Sequence, residues 1–382
     1  MLESHQELQV PEEPIGVAPE VVERALGRAV RKVVEEVEKV RSLVREVRRA
    51  IESRGDPFRI GTAGPAEDLC YVAVDSSFTA PAIELVGGYL GIVLVVAVLH
   101  GSRCSKGGVE AKAYAELWFN EDLTSAVARY YERLTSKRLL EGKRRGELDF
   151  DVLLVDGEIV PRALPVRRGP SAGLLGRVVK LTEEVVELAD RTDTAVVGVL
   201  KRSYSRDLVS ILGFDQLRLS DKAVMSLVLR PGEYLVAGSH IDIYRELEGL
   251  RGRPGVREDW LEARLRWYRS IVNNMPVGYT VKLAYYRAPR TLYPTATKVE
   301  YVTSSSLHED LLLSSLVHIS TGTGIPVPID YADALSTITK ELKQTVYQKL
   351  LAEVAKEVKA EAREVVPLLS LTNPEKLSRL LG

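Results

Sequence analysis

Two short apolar runs, each ending in an aspartate, constrain this chain more than any other feature. The first is Tyr71-Val72-Ala73-Val74-Asp75-Ser76-Ser77-Phe78-Thr79, and the second is Asp151-Val152-Leu153-Leu154-Val155-Asp156-Gly157. Both are rich in valine and leucine, the pattern of a strand buried on its two faces. Such a strand carries a carboxylate out of a core to the rim of a cleft, where small polar residues follow it. Hard divalent cations such as Mg²⁺ and Mn²⁺ take oxygen ligands, so acids on two strand ends suggest metal-assisted chemistry. Aspartate is also a common first residue of a turn, and Asp156-Gly157 taken alone fits that plainer reading.

The segments around these runs alternate between strand and helix patterns. Leu69–Asp75, Tyr89–His100 and Glu110–Phe119 are predicted strands, with Ala111, Ala113, Ala115 and Leu117 on one face of the third. Gly87-Gly88 and Gly107-Gly108 supply the turns of an antiparallel meander. A helix over Asn120–Glu141 follows, with Asn120 as its N-cap. Next come a strand at Val152–Asp156, a helix at Leu174–Asp190 and a strand at Thr194–Lys201. Residues 205–230 read as mainly helical. Glu233–Ser239, Val277–Arg287 and Thr297–Thr303 read as strands, and Glu258–Val272 and Leu307–Ser320 as helices. A long last helix is expected from about Asp330 to Val365, after Pro326 and Pro328. The fold class is therefore α/β, a mixed sheet flanked by helices with long N- and C-terminal helices. Its opening order of three strands, a helix and a strand matches the ribonuclease H topology by analogy.

At the front, residues 1–17 read as an extended or disordered tail and 18–55 as one long helix. Val22, Leu26, Val30, Val33, Val37, Val40, Val44 and Val47 recur there at spacings of three and four. This narrow stripe fits either packing on the helix's own domain or a contact with a partner. The main domain is expected over 66–365, with a tail at 366–382.

Composition narrows the function classes. The formal charge of −1 gives no global attraction to nucleic acid, although 52 Lys and Arg residues can be sorted onto one face. Cys70 and Cys104 are the two cysteines, with no CxxC pattern; reduced thiols in a cytoplasmic protein are the expectation, and a Cys70–Cys104 bridge is the alternative. The five histidines, His5, His100, His240, His308 and His318, form no HxH or HxxxH pair, so neither a histidine zinc site nor a Ser-His-Asp triad is indicated. No P-loop is present, and Met1–Val10 is polar and acidic, unlike a signal peptide. The longest apolar stretch, Ile83–Leu99, is broken by Glu84 and Gly87-Gly88 and suits a buried strand better than a membrane span. Few amides and many charges of both signs suit a protein from a hot environment.

A metal site on Asp75 and Asp156 needs further acids. Glu132, mid-helix in Tyr130-Tyr131-Glu132-Arg133-Leu134, is the candidate from the helix between them, with Glu141 next; either also fits a solvated helix face. Lys201, at the end of a strand in Lys201-Arg202-Ser203, is placed to meet a phosphate, or is an ordinary surface lysine. Arg202, Arg287 and Arg290 are candidate contacts to a nucleic-acid backbone.

The chain resembles the NurA family of archaeal and bacterial DNA-end-processing nucleases. The resemblance rests on Ala73-Val74-Asp75-Ser76-Ser77, Leu153-Leu154-Val155-Asp156-Gly157, Val197-Gly198-Val199-Leu200-Lys201-Arg202-Ser203, and Gly324-Ile325-Pro326-Val327-Pro328-Ile329-Asp330-Tyr331-Ala332-Asp333, in that order along the chain. It implies a ribonuclease H-like fold and a homodimer. It also implies Mn²⁺- or Mg²⁺-dependent cleavage of DNA, as a 5′-to-3′ exonuclease and single-strand endonuclease. The implied setting is double-strand-break end resection with the hexameric helicase HerA. Carried over, Asp75, Asp156 and Glu132 become metal ligands, and Asp333 supplies a fourth carboxylate. Ser76 stands where the family has Gly, and Glu158 where it has Ser. Ile325 stands where the family commonly has Tyr, and Asp333 where it commonly has His. Two readings follow: a metal-dependent nuclease, and a non-catalytic dimeric adaptor that grips DNA ends or a helicase.

Overall fold

In a computed structural model of the chain, which describes residues 19–104, 108–119, 121–161, 170–320, 322–358 and 367–372, the two apolar runs lie side by side. The first helix, α1 (Pro19–Arg54), leads to β1 (Arg59–Thr62), β2 (Tyr71–Phe78), β3 (Ile83–Leu85), β4 (Gly88–His100) and β5 (Gly108–Trp118). There follow α2 (Thr124–Arg144), β6 (Val152–Asp156), α3 (Pro170–Arg191) and β7 (Ala195–Leu200). The remainder is α4 (Asp207–Ile211), α5 (Asp221–Val228), β8 (Glu233–Ser239), α6 (His240–Glu248), α7 (Glu258–Asn273), β9 (Lys282–Tyr286), β10 (Thr297–Val302), α8 (Glu309–Ile319), α9 (Val327–Ser336) and α10 (Lys340–Val358).

All strands join one ten-stranded sheet in the order β1-β8-β9-β10-β7-β6-β2-β4-β3, with β5 also paired to β4. Strands β2, β6 and β7 are parallel neighbours, with Tyr71 opposite Val152 and Val152 opposite Ala195. Strands β4 and β5 run antiparallel beside β2, as the meander pattern predicts. Numbering β2, β4, β5, β6 and β7 as one to five gives the spatial order 3-2-1-4-5, the ribonuclease H arrangement. Because the three parallel strands point one way, their carboxyl ends open on one side of the sheet, where α/β proteins place their ligands.

Alternation along β2 divides the core. Tyr71 and Ala73 face a layer containing Leu312, Leu316 and Val317 of α8 and Ile329 and Ala332 of α9. Val72 and Val74 face Ala128 and Leu140 of α2 and Val185 and Ala189 of α3. A third cluster, under β8 and β9, takes in the far end of α1 through Val40, Val47 and Ile51. Nearer the start of α1 the same stripe leaves Val22, Leu26, Val30, Val33 and Val37 exposed. Among the described residues no helix is long and apolar enough to cross a membrane.

Several expectations change. Cys70 and Cys104 are joined in a disulfide rather than free. Antiparallel pairing sets Tyr71 opposite His100, and a turn in which the Cys104 amide donates to the Gly101 carbonyl at 3.2 Å brings Cys104 back to Cys70. The expected last helix is two helices. Ser336 and Thr337 turn their hydroxyls back to the Asp333 carbonyl and end α9, and the Thr339 hydroxyl accepts from the Leu342 amide to start α10; its expected end at Val365 lies outside the described residues. The helix after β5 starts at Thr124, where the Asp122 carboxylate accepts from the Thr124 amide, and Asn120 lies outside the described residues. Strand β9 starts at Lys282, not Val277, because the chain turns at Gly278 with φ +82°. Two short strands, β1 and β3, carried too little pattern to be predicted.

Replacing Cys70 and Cys104 together by serine is expected to lower stability by about 3–4 kcal/mol, the entropy of a cross-link spanning 34 residues. Urea unfolding of the variant beside the parent measures this, and coincident midpoints would contradict it.

Candidate active site

Asp75 lies within β2, which runs on to Phe78 rather than stopping at the acid, and is 2% exposed. Its Oδ2 accepts a 2.9 Å hydrogen bond from the Ser336 hydroxyl at the end of α9. Asp156 is the last residue of β6, and Gly157 then reverses the chain with φ +93°, where a side chain would be strained. The turn packs on β7 so closely that a Cβ at Gly198 would stand 2.6 Å from the Gly157 carbonyl oxygen. Asp333 reaches in from α9. One carboxylate oxygen each from Asp75, Asp156 and Asp333 lie within 4.8 Å of one another.

Like charges held this close need a counter-ion, and Lys201 supplies it. Its Nζ sits 3.2 Å from Asp156 Oδ2 and 3.1 Å from Asp333 Oδ1. Burial works against the ammonium, but Asp156, Asp75 and Asp333 outweigh it and raise its pKa above the usual lysine value. Asp156 responds to the same crowding. Burial and the nearby Asp75 charge push its pKa up to about 7, although Lys201 opposes the shift.

Glu132 borders the same cleft without joining the three aspartates. Asp75, Glu132, Arg133, Asp156 and Glu158 line a cavity of about 160 Å³. Within it the Glu132 carboxylate accepts from Arg133 Nη1 at 2.7 Å and from the Ser76 hydroxyl at 3.0 Å. Its burial is the main cause of a pKa raised to about 7, with Arg133 pulling the other way. Glu141 pairs instead with Lys137 further along α2. Arg133 also donates to the Glu158 carbonyl, so one buried guanidinium ties α2 to the loop after Asp156.

Other residues of the site left no signal in the sequence. Glu300, on β10, accepts from the Ile159 amide at 2.7 Å and the Val160 amide at 3.3 Å, which pins the loop behind Asp156. His240 backs Glu300 at 3.2 Å. Ser336 and Arg133 were equally hidden, since each matters only through its partner. Ile325 is 8% exposed and packs in the core beneath α9. Of the candidate phosphate contacts, Arg202 and Arg290 are exposed. Arg287 is half-buried and donates to the Ser226 carbonyl at 3.2 Å and the Leu229 carbonyl at 2.9 Å.

The donor set is all oxygen, one carboxylate is fully buried, and a cation already sits between the other two. These features fit a hard divalent ion. A ribonuclease H-like sheet with an acidic cluster at the carboxyl ends of its parallel strands defines the structural class. Within it the chain belongs to the NurA family, whose domain matches residues 71–338. The crystal structure of the NurA nuclease from Sulfolobus solfataricus has 12% identity and a TM-score of 0.53, covering 87% of this chain and 98% of that one. A crystal structure of NurA with manganese has 14% identity and a TM-score of 0.47, covering 86% and 98%. Another, of NurA bound to dAMP and manganese, has 13% identity and a TM-score of 0.44, covering 83% and 94%. No match is found among curated proteins.

A raised carboxyl must lose its proton before it can serve a divalent ion as a ligand. Asp156 and Glu132, each with a pKa near 7, take up protons as the pH falls. Mn²⁺ affinity measured by calorimetry should therefore drop about tenfold for each participating group between pH 8 and pH 6. A flat profile over that range would contradict the assignment.

Proposed function

We propose that this protein is a Mn²⁺- or Mg²⁺-dependent deoxyribonuclease that hydrolyses phosphodiester bonds at Asp75, Asp156 and Asp333. The observation that carries this reading is the convergence of three carboxylates from two neighbouring strands and a helix within 4.8 Å. Bound there, a divalent cation activates a water and offsets charge on the leaving oxygen. Asp75 and Asp156 are rigid ligands on β2 and β6, and Asp333 is a more exposed one from α9. Glu132 orients an attacking water or completes a second metal position from the cleft side. Lys201 adds positive charge for the scissile phosphate.

The surroundings support a strand of DNA as the substrate. Lys298 lies opposite Leu200, so the β9–β10 connection sits at the same end of the sheet as Lys201. That connection exposes Arg290, Leu292 and Tyr293, and the segment after β7 exposes Arg202 and Tyr204. Exposed aromatic and apolar side chains beside arginines suit stacked bases and a phosphate backbone. Arg287 plays a smaller part, because its guanidinium is engaged by backbone carbonyls.

The finer reading follows the family: 5′-to-3′ exonuclease and single-strand endonuclease activity in double-strand-break end resection, with HerA as partner and the cytoplasm as its compartment. The exposed stripe of α1, from Val22 to Val37, supports a contact with a second copy or with HerA. A second reading, a weakly active adaptor at DNA ends, is favoured by Ile325, which offers no hydroxyl and packs in the core.

Two measurements test the reading. Asp75→Ala should abolish Mn²⁺-dependent degradation of end-labelled linear DNA while circular dichroism stays unchanged; undiminished cleavage would remove Asp75 from the site. Tyr204→Ala with Tyr293→Ala should weaken single-stranded DNA binding by on the order of tenfold or more, since a stacked base contributes about 1–3 kcal/mol. Equal affinities would exclude the aromatic rim from the strand's path.

A further inference from the structure

Lys201 sits between two of the three clustered carboxylates. Its Nζ lies 3.2 Å from Asp156 Oδ2 and 3.1 Å from Asp333 Oδ1, and both residues belong to the set whose oxygens lie within 4.8 Å of one another. The ammonium is shielded from solvent yet makes no well-aligned hydrogen bond. Its hold on the two carboxylates is chiefly by charge, so another cation can take its place. Its backbone is anchored separately, because the Lys201 carbonyl accepts from Lys222 Nζ at 2.7 Å. The four-carbon stem can therefore move while the main chain stays still.

We propose that Lys201 is a built-in counter-ion of the metal-free site, and that it competes with the divalent cation for Asp156 and Asp333. This rests on the metal-site reading above. Without a metal, the ammonium neutralises carboxylates whose mutual repulsion would otherwise push α9 away from β2 and β6. When a divalent cation enters, two cations cannot share the space between the same two carboxylates, and the ammonium swings out. It leaves the acids at the rim of the site, where an incoming phosphate needs positive charge. Metal loading and readiness for substrate thus become one event.

The test uses the full chain without DNA. MnCl₂ is titrated by calorimetry into the parent protein, Lys201→Gln, Lys201→Met and Lys201→Arg. Removing the competitor should tighten Mn²⁺ binding at least tenfold in the Gln and Met variants, while the Arg variant stays close to the parent. In the metal-free state those two variants should melt at lower temperature than the parent, and Mn²⁺ should restore them. The parent provides a second readout: acetic anhydride should label Lys201 faster when Mn²⁺ is present, as followed by peptide mass spectrometry. Equal or weaker Mn²⁺ affinity in the Gln and Met variants, or slower labelling with Mn²⁺, overturns the counter-ion role alone. Absence of Mn²⁺ binding in the parent and every variant overturns the metal site as well.

Discussion

The structure depends on holding like charges together. Asp75, Asp156 and Asp333 approach within 4.8 Å, and Glu132 is buried in the adjoining cleft. In a low-dielectric setting such a group is unfavourable unless each charge is neutralised or protonated. Lys201 and Arg133 divide that task. Lys201 serves Asp156 and Asp333, and Arg133 serves Glu132. Pushing Asp156 and Glu132 up to about 7 is what remains after those two cations have acted. A divalent cation placed among these carboxylates would relieve that repulsion.

The sheet makes this crowding possible. Parallel strands β2 and β6 are in register, so Asp75 and Asp156 arrive at one level, and β7 delivers Lys201 beside them. Gly157 and Gly198 allow the turn after Asp156 to lie flat on β7, and Glu300 fastens its amides from below. Helix α9 is then secured from the other face by the Ser336–Asp75 hydrogen bond and by Ile329 and Ala332 in the core. Rigid strands therefore hold two of the carboxylates, and an exposed position near the end of a helix holds the third.

How much of this was legible follows from the range of the interactions. Strands β2, β4, β5, β6 and β7 carry local apolar patterns, and their order was enough to suggest the ribonuclease H arrangement. Asp75 and Asp156 were visible because each ends such a run. Asp333 was legible only through the family resemblance, since nothing near it distinguishes it from a helical surface acid. Ser336 is 261 residues from Asp75, and Glu300 is 141 from Ile159, so no window of sequence contains either pair. The disulfide stays the less favoured of two readings for the same reason, because it takes the β2–β4 register and the turn after His100 to bring Cys70 to Cys104. The break between α9 and α10 was missed for a different one: the residues from Ser336 to Thr339 read as a continued helix until their hydroxyls are seen turning to the backbone.

If Asp75, Asp156 and Asp333 form one cation site that Lys201 vacates, a bound ion and a displaced lysine must appear together. The most direct measurement is anomalous diffraction at the manganese edge from crystals grown with and without Mn²⁺. The expected result is an anomalous peak at bonding distance from oxygens of all three aspartates, with Lys201 Nζ turned away from Asp156 and Asp333. A peak elsewhere, or none while the Lys201 ion pairs persist at saturating Mn²⁺, would contradict it.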